Sequence, residues 1–397
     1  MADRSGHMLN VLAITLSSSP GGTDRSLRSL ALAFQGSDVS VTLGGPGRSN
    51  LESWWTGSGL PYLPLALPDR VGFTTSGGKR TNPLDLIRAG ARTVGSVQTI
   101  RKAAAPFDVL HSNWLFTHVD TVLAGRLSKK PVIVELHDIV PPGPGRYILT
   151  EAASRASVSI SVSDAVRRQL GRAAQGNAVT IHQGIDTAVF RPGAKDAALR
   201  AQLAQGDTSV TIAAVIGRLD PGKGVEYAID AVAIANRDFG CDIHLAVLGA
   251  PAVDDGSYAE SIRAHAQRVL PNKHTFLPPR EDVVNILRSI DLLLAPSINE
   301  PFGLIVAEAQ SVGVPAVVSD SGGLPEFVLD RETGYVVTAG DPLCIARAIN
   351  NLLSDPISAS LMSAAARDHM VSGFDIRRRA ERVREQYWSV VSGEYRS

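Results

Sequence analysis

Two carboxylates with seven residues between them stand at the start of an apolar stretch of the chain. Glu300 precedes Pro301, Phe302 and Gly303, and Glu308 follows within "LIVAEAQSVG". An ionised carboxylate only accepts hydrogen bonds and can take paired hydroxyl donors, which sugar and ribose rings present. The structural alternative makes Glu300 an acid that favours a helix N-terminus and Glu308 an ordinary helix carboxylate.

The turn around Glu300 is also expected to supply backbone N–H groups. "DLLLAPS" predicts a strand, "INEPFG" a turn at its carboxyl end, and the apolar run after it a helix that ends at Gly313. The amides of Gly303, Leu304 and Ile305 would then point into the space beside Glu300. This corner is therefore predicted to bind an anion together with several hydroxyl groups.

Two cations occupy another loop that follows a predicted strand. In "VIGRLDPGKGVEYA", Arg218 and Lys223 are set by a turn that contains Pro221, Gly222 and Gly224. Two cations beside a helix N-terminus can neutralise a diphosphate without a metal ion. The alternative is a pair of solvated surface side chains.

A pair of glycines marks a third loop, in "SSSPGGTDRSLRSLA". Gly21 and Gly22 precede a predicted helix, where glycine lets the backbone approach a ligand and the helix start offers N–H groups to an anion. A plain strand-to-helix turn is the alternative.

The elements that position these loops are short buried strands alternating with helices. "NVLAITL", "DVSVTLGG", "FDVLHSN", "PVIVELHD", "SVSISVS" and "NAVTIHQG" form one predicted series of strands. "SVTIAAVIG", "DIHLAVLG", "HTFLPP", "DLLLAPS" and "PAVVSD" form a second. Near-continuous aliphatic runs are typical of parallel strands covered on both faces. We expect an α/β protein of two Rossmann-like doubly wound domains facing across a cleft, joined in the segment 190–209.

Composition excludes several classes of function. The 397 residues contain 39 Lys and Arg against 39 Asp and Glu, so no net charge favours nucleic acid or an anionic membrane. No apolar run is long enough to cross a membrane, and the N-terminal apolar segment predicts a strand rather than a signal peptide. Cys241 and Cys344 make no disulfide framework. A cytoplasmic protein is expected, and its oligomeric state is open.

Several motifs in order resemble glycosyltransferase family 4, whose members are retaining enzymes of the GT-B fold. Seven segments are similar to elements of that family: "SSSPGG", "VELHD", "SVSDAVRRQL", "HQGIDTAVFRP", "GRLDPGKG", the segment from Glu300 to Glu308, and "SGGLPEFVLDRETGYVV". The resemblance covers nearly the whole chain, from about residue 11 to the C-terminal helix.

The resemblance implies roles for particular residues. Arg218 and Lys223 would bind the diphosphate of a nucleotide sugar and stabilise the leaving nucleoside diphosphate, Glu300 would hold the donated sugar, and His137 would hydrogen-bond it. The implied catalytic residues are His137, Arg218, Lys223 and Glu300. The implied nucleotide-sugar-binding residues are Gly21, Gly22, Gly217, Gly249, Phe302, Gly303, Leu304 and Glu308, with Glu308 on the ribose and Gly249 leaving room for the nucleotide.

The resemblance also implies the domain limits. Residues 1–192 with the C-terminal helix 373–397 would form an acceptor-binding domain, and residues 193–372 the nucleotide-sugar-binding domain. The helix in "GFDIRRRAERVREQYWSVVSGEYR" has Ile376, Ala380, Val383 and Tyr387 on one face. Its arginines alternate with glutamates, which favours a solvated face over a nucleic-acid or lipid surface.

The predicted reaction is transfer of a hexose or N-acetylhexosamine, with retention, from a UDP-sugar to a hydroxyl of a small soluble acceptor such as a natural-product sugar or cyclitol. The alternatives are a GDP-mannose-dependent mannosyltransferase acting on a lipid or glycan, and a nucleotide-sugar epimerase of the same architecture. No metal or other cofactor is expected: the histidines lack metal-ligand spacing, and Asp254 and Asp255 indicate a solvated turn.

The acceptor loops, residues 45–82, are the least family-like part of the chain. Trp54 and Trp55 offer aromatic faces for a sugar or cyclitol ring, although one of two adjacent tryptophans is commonly in the core. Lys79 and Arg80 follow, and the roles of all four stay open.

Overall fold

The computed structural model describes residues 7–68, 83–207, 209–252 and 256–394, with side chains except over 83–91. The chain forms two compact units. One comprises Met1–Gly184 with Ile376–Ser397, and the other comprises Ile185–Asp375. Residues 185–192 and 373–375 thus belong to the second unit, whereas the sequence analysis assigned them to the first. Lys79, Arg80, Asp254 and Asp255 lie outside the described residues.

The first unit is built on a parallel sheet. Val, Ile and Leu are frequent in these strands, and most of the side chains in the interior strands are buried, as expected for strands covered on both faces. The strands are β1 Leu9–Ile14, β2 Val39–Gly45, β3 Tyr62–Pro64, β4 Val109–Ser112, β5 Val132–Leu136, β6 Val158–Ser161 and β7 Ala178–Thr180. Their order is β3-β2-β1-β4-β5-β6-β7. Successive strands are thus added toward one edge of the sheet up to β3 and toward the other edge from β4 onward, so the strand order reverses between β1 and β4.

Helices connect these strands. They are α1 Gly22–Ala33, α2 Asn50–Thr56, α3 Pro83–Ala103, α4 His118–Ser128, α5 Pro144–Arg155, α6 Asp164–Arg168 and α7 Arg172–Gln175. Local sequence sets their starts: the Ser163 hydroxyl accepts from the Val166 amide at 3.1 Å and caps α6.

The second unit repeats this plan with a six-stranded parallel sheet. Its strands are β8 Thr211–Ile216, β9 Ile243–Leu248, β10 His274–Leu277, β11 Leu292–Ala295, β12 Ala316–Ser319 and β13 Tyr335–Val337. Its helices are α8 Ala197–Leu203, α9 Val225–Asp238, α10 Ser257–Val269, α11 Val283–Ser289, α12 Leu304–Val312, α13 Pro342–Ser354 and α14 Pro356–Gly373. The order β10-β9-β8-β11-β12-β13 reverses between β8 and β11.

The last helix, α15 (Ile376–Ser392), returns to the first unit. Ile376, Ala380, Val383 and Tyr387 join the core of that unit, which confirms the predicted apolar face. The prediction of a wholly solvated arginine face is wrong at one position. The Arg379 side chain is 2% exposed, because it forms an ion pair with the fully buried Glu135.

All eleven predicted strands are present, and β3 and β13 are additional. Each of the two additional strands has three residues, and Pro64 ends the first. Such segments are too short to show strand periodicity, and they pair at the outer edges of the two sheets.

Candidate functional site

The loops after β8 and β11 meet at the point where the second sheet reverses, which is where open α/β sheets bind ligands. The Ile298 amide donates to the Gly222 carbonyl at 2.9 Å and ties the two loops together. Gly224 has φ +63°, and a Cβ there would lie 2.2 Å from the Pro296 carbonyl oxygen. Only glycine fits this backbone approach.

This loop pair brings Lys223 and Glu300 together. Lys223 ends a short 3₁₀ turn, Pro221–Lys223, and its Nζ donates to Glu300 Oε2 at 2.6 Å. The Ser297 hydroxyl donates to the same oxygen at 3.1 Å. Both charged side chains line a pocket with Gly217, Arg218 and Ile305. They are 29% and 13% exposed, so the pair is accessible from the pocket.

Arg218 lies in the same pocket with its guanidinium turned to solvent. Its side chain is 73% exposed, and its charged partner is Asp220, 3.6 Å from Nη2. An anion entering the pocket would therefore meet a guanidinium held by one long contact and an ammonium held by a short one.

The amino end of α12 forms another wall. Gly303 precedes it with φ +103°, and a Cβ there would lie 2.5 Å from Leu324 Cδ2. The first amides of a helix have no intrahelical acceptor, so Leu304 and Ile305 present N–H groups here. The Phe302 side chain is buried and stacks on Phe327 with ring centroids 4.7 Å apart, so its ring packs in the core.

Glu308 lies on α12, three residues after Ile305. Residues three apart share a helix face, so Glu308 is on the side of α12 that carries the pocket-lining Ile305. Its side chain is half-buried.

The backbones of Gly217 and Gly249 lie in close contact with each other. A Cβ on Gly249 would lie 1.7 Å from the Gly217 carbonyl oxygen. The close approach of these two backbone segments requires glycine at position 249 whether or not a nucleotide lies nearby.

In the first unit, His137 follows β5 at the carboxyl edge of its sheet. Its side chain is 7% exposed, and both ring nitrogens have partners. Nε2 lies 3.1 Å from Asn113 Oδ1, and Nδ1 lies 3.2 Å from Gln183 Nε2. Asn113 follows β4, so this histidine is also beside the reversal point of its sheet.

The surroundings of His137 favour its neutral form. Burial lowers the pKa of His137 to about 4, with Arg379 and His111 acting in the same direction and Glu135 opposing them. Burial also lowers the pKa of His118 to about 3. Burial opposes ionisation of Glu135, but Arg379 and the neighbouring His137 and His111 together outweigh it and hold the carboxyl pKa well below its usual range.

The charged groups beside His137 were not predicted from the sequence. Arg379 Nη2 donates to Glu135 Oε1 at 2.5 Å, and His111 Nε2 lies 3.1 Å from the other carboxylate oxygen. The available signal was an acid inside the apolar run "VIVELH", since a buried carboxylate needs a cation. Nothing local identified Arg379 as that cation.

Gly21 and Gly22 begin α1 beside β1. The Gly21 amide donates to Asp24 Oδ2 at 3.0 Å, so a side chain of the helix already satisfies it. A Cβ on Gly22 would meet no atom within 4 Å. Space for a close ligand approach is therefore present at Gly22.

The two tryptophans have different environments. Trp55 is fully buried, and its indole N–H donates to the Pro61 carbonyl at 2.9 Å. Trp54 is half-buried, with the Arg28 guanidinium 3.8 Å from its ring centroid. Trp55 is a core residue, and one face of Trp54 is already covered.

Among the described residues, no helix is both long and apolar enough to span a membrane. The same residues contain no group of three or more His, Cys, Asp or Glu side chains suited to holding a metal ion.

Comparison with known proteins gives two family matches in sequence order. Residues 20–189 match the model for Glycosyltransferase Family 4, and residues 198–369 match that for Glycosyl transferases group 1. A D-inositol 3-phosphate glycosyltransferase from Streptomyces avermitilis is 30% identical over 295 residues, which are 68% of this chain and 63% of that protein. The chain thus spans less than two thirds of this relative's length.

Solved structures share the fold. HepE from Anabaena, in complex with UDP-glucose, superposes with a TM-score of 0.81 at 21% identity, over 96% of this chain and all of that one. Sucrose-phosphate synthase from Thermosynechococcus elongatus superposes with a TM-score of 0.76 at 19% identity, over 97% of this chain and all of that one.

Proposed function

The chain belongs to glycosyltransferase family 4 and has its two-domain GT-B fold, and on that premise we propose that it moves a hexose or N-acetylhexosamine from a nucleotide diphosphate sugar to a hydroxyl of a small acceptor. UDP is the proposed nucleotide. The observation that carries the proposal is the Lys223–Glu300 contact of 2.6 Å in a pocket that Arg218 also lines. Cations suited to a diphosphate and a carboxylate suited to sugar hydroxyls are held side by side.

The proposed binding mode is centred on Lys223 and Glu300. The Lys223 ammonium has three N–H donors, so it can keep Glu300 and also bind a phosphate oxygen. The two described contacts of the Glu300 carboxylate both go to Oε2, which leaves Oε1 for a sugar hydroxyl. The α12 amides would face the sugar, and Glu308 would accept from the ribose. His137 is proposed to hydrogen-bond the donor sugar.

The proposed chemistry is stabilisation of the leaving diphosphate. The anomeric carbon–oxygen bond breaks toward the phosphate, the acceptor oxygen bonds to that carbon on the same face, and the acceptor proton passes to the leaving phosphate. Arg218, Lys223 and the α12 amides oppose the charge that develops, which is where fixed donors lower a barrier. Because these groups supply the compensating charge, we propose that transfer requires no metal.

The proposed acceptor is a cyclitol or cyclitol phosphate. Its support is the name of the Streptomyces relative, which acts on D-inositol 3-phosphate. A small polyol is also consistent with the balanced net charge of the chain.

The experiment is a donor and acceptor panel. Purified protein is incubated with UDP-, GDP-, ADP- and dTDP-sugars, with and without inositol phosphates and with and without EDTA, while nucleoside diphosphate release is followed. We expect acceptor-dependent, EDTA-insensitive release from a UDP-sugar, and an axial anomeric linkage by NMR if that donor is α-linked. Inverted product, a covalent glycosyl-enzyme, or product formed from the donor alone would contradict the proposed reaction.

A further inference from the structure

A continuous set of hydrogen bonds connects α15 to His137 inside the first unit. Arg379 Nη1 donates to the Ser26 hydroxyl at 2.8 Å, and that hydroxyl donates to Gln183 Oε1. Gln183 Nε2 lies 3.2 Å from His137 Nδ1, and His137 Nε2 lies 3.1 Å from Asn113 Oδ1. Ser26, Gln183 and Asn113 are each no more than 4% exposed, so solvent does not compete for these contacts.

The first member of this set fixes the direction of all the others. A guanidinium can only donate, so the Ser26 oxygen accepts from Arg379 and its proton is directed to Gln183 Oε1. The amide oxygen of Gln183 is then occupied, and its NH₂ group faces His137. A donor opposite Nδ1 requires that nitrogen to be unprotonated. The ring proton therefore resides on Nε2, where Asn113 Oδ1 accepts it.

We propose that Arg379 is a positioning residue that fixes His137 as the Nε2–H tautomer through Ser26 and Gln183. The reverse orientation, with Gln183 Oε1 toward His137, would place its NH₂ group against Ser26. The Ser26 oxygen would then face two donors, with no acceptor for its own proton along this path. The charge on Arg379 makes this arrangement the less stable one.

Arg379 is itself held by a second contact. Its Nη2 is paired with Glu135 Oε1, and Glu135 also lies 3.6 Å from His137 Nε2. A proton on Nε2 faces this carboxylate favourably, so the electrostatic field agrees with the hydrogen-bond direction. The charged and titratable groups that interact with the ring include Glu135, Arg379, His111 and His118, and burial keeps the ring neutral.

The consequence for the reaction rests on the proposed function. With the proton on Nε2, a group that competes with Asn113 for His137 must accept a hydrogen bond, as the oxygen of a sugar hydroxyl does. The C-terminal helix, through Arg379, would thereby set which side of the histidine meets the donor sugar.

The tautomer can be read directly by long-range ¹H–¹⁵N correlation spectra of ¹⁵N-histidine-labelled protein at pH 7. The signal is assigned by its loss in His137→Gln. The wild-type protein is expected to show one neutral ring with the proton on Nε2. A proton on Nδ1, or an even mixture of tautomers, would overturn the proposal.

Variants test the direction of the contacts without removing the buried ion pair. Gln183→Glu is nearly isosteric but presents only acceptors, so we expect the proton to move to Nδ1 or the ring to become doubly protonated. Gln35→Glu adds the same charge at an exposed position of the first unit and should leave the spectrum unchanged. A Gln183→Glu spectrum like that of the wild type would refute the proposal that these hydrogen bonds fix the tautomer of His137.

Arg379→Lys tests the first step. Lysine can keep a charge against Glu135 but lacks the planar fork that reaches both partners, so the Ser26 hydroxyl regains its freedom and a mixture of tautomers is expected. Retention of a single Nε2–H tautomer in this variant would show that Arg379 does not fix the tautomer of His137.

Activity separates this inference from the proposed function. If the chain is a transferase, Gln183→Glu should lower kcat on the order of 10- to 100-fold with a smaller change in the donor KM. If the spectra are as predicted but the wild-type protein has no transferase activity, the proposed tautomer of His137 is supported and the proposed function is refuted. If the protein is an active transferase but His137 carries its proton on Nδ1, the proposed function is supported and the role of Arg379 is refuted.

Discussion

A glutamate paired with a cation stands at the centre of two regions of this protein, and the pairs differ in burial. Lys223 and Glu300 in the second unit are 29% and 13% exposed, whereas Arg379 and Glu135 in the first unit are 2% and 0% exposed. A partly exposed pair contributes less to stability than a buried one and can exchange partners more easily. A buried pair cannot lose one member without leaving a charge in a low-dielectric interior.

This difference suggests different tasks for the two pairs. The Lys223–Glu300 pair lines a pocket and has donors and an acceptor oxygen to offer, which suits a group that binds ligand. The Arg379–Glu135 pair is enclosed by α1, β5 and α15 and makes its contacts to other side chains of the network. It suits a group that orients others.

The largest expected effect is on stability. Arg379→Met should reduce the free energy of unfolding by about 3–5 kcal/mol, because it leaves Glu135 as an uncompensated buried charge. Lys223→Met should cost at most about 1 kcal/mol. Denaturant unfolding of both variants measures the difference, and equal losses would remove the contrast between the pairs.

A smaller effect is expected on turnover from the Lys223–Glu300 pair. Glu300→Gln keeps the shape of the side chain but removes the charge, and should lower kcat on the order of 100-fold with little change in stability. Asp242→Asn is the matched control, because Asp242 is an exposed acid paired with Lys273 in the same unit. An active Glu300→Gln variant would show that this carboxylate has no part in the reaction.

The smallest effect is the pH dependence of stability. The pKa values of His137 and His118 are about 4 and 3, and that of His244 in the second unit is also about 4, so all three lie below the ordinary 6.5. Below pH 6.5 the unfolded chain binds more protons, so stability falls as pH falls.

Each such histidine contributes a slope of up to about 1.4 kcal/mol per pH unit. The window from pH 5 to 6.5 isolates it, since ordinary carboxyl groups titrate lower. His137→Gln should reduce the dependence of the unfolding free energy on pH in this window by about the contribution of one histidine. An unchanged slope would mean that His137 is protonated in the folded protein.

Much of the fold could be predicted because its signals are local. Runs such as "NVLAITL" and "DLLLAPS" are short and almost continuously apolar, which is typical of interior parallel strands. The loops with Arg218, Lys223 and Glu300 followed from their places after predicted strands. Family resemblance added His137, for which a lone histidine at a strand end gave no basis.

The partners of His137 could not be predicted in the same way. Glu135 and Arg379 are 244 residues apart, and their pairing depends on the return of α15 to the first unit. The same arginine-rich helix would be a solvated face if it packed elsewhere. Gly249 likewise owes its identity to the Gly217 carbonyl, a contact between loops that neither sequence segment reveals.

Calorimetric titration with UDP tests whether the Lys223–Glu300 pocket binds a nucleoside diphosphate, on which the proposed function depends. Wild-type protein should bind, and Lys223→Ala should bind at least roughly tenfold more weakly through loss of a charge-assisted contact. Lys273→Ala should bind like the wild type, because Lys273 is a half-buried lysine of the same unit that pairs with Asp242 and does not line the pocket. Equal affinity in Lys223→Ala, or no binding of UDP, GDP, ADP or dTDP to the wild-type protein, would contradict the account.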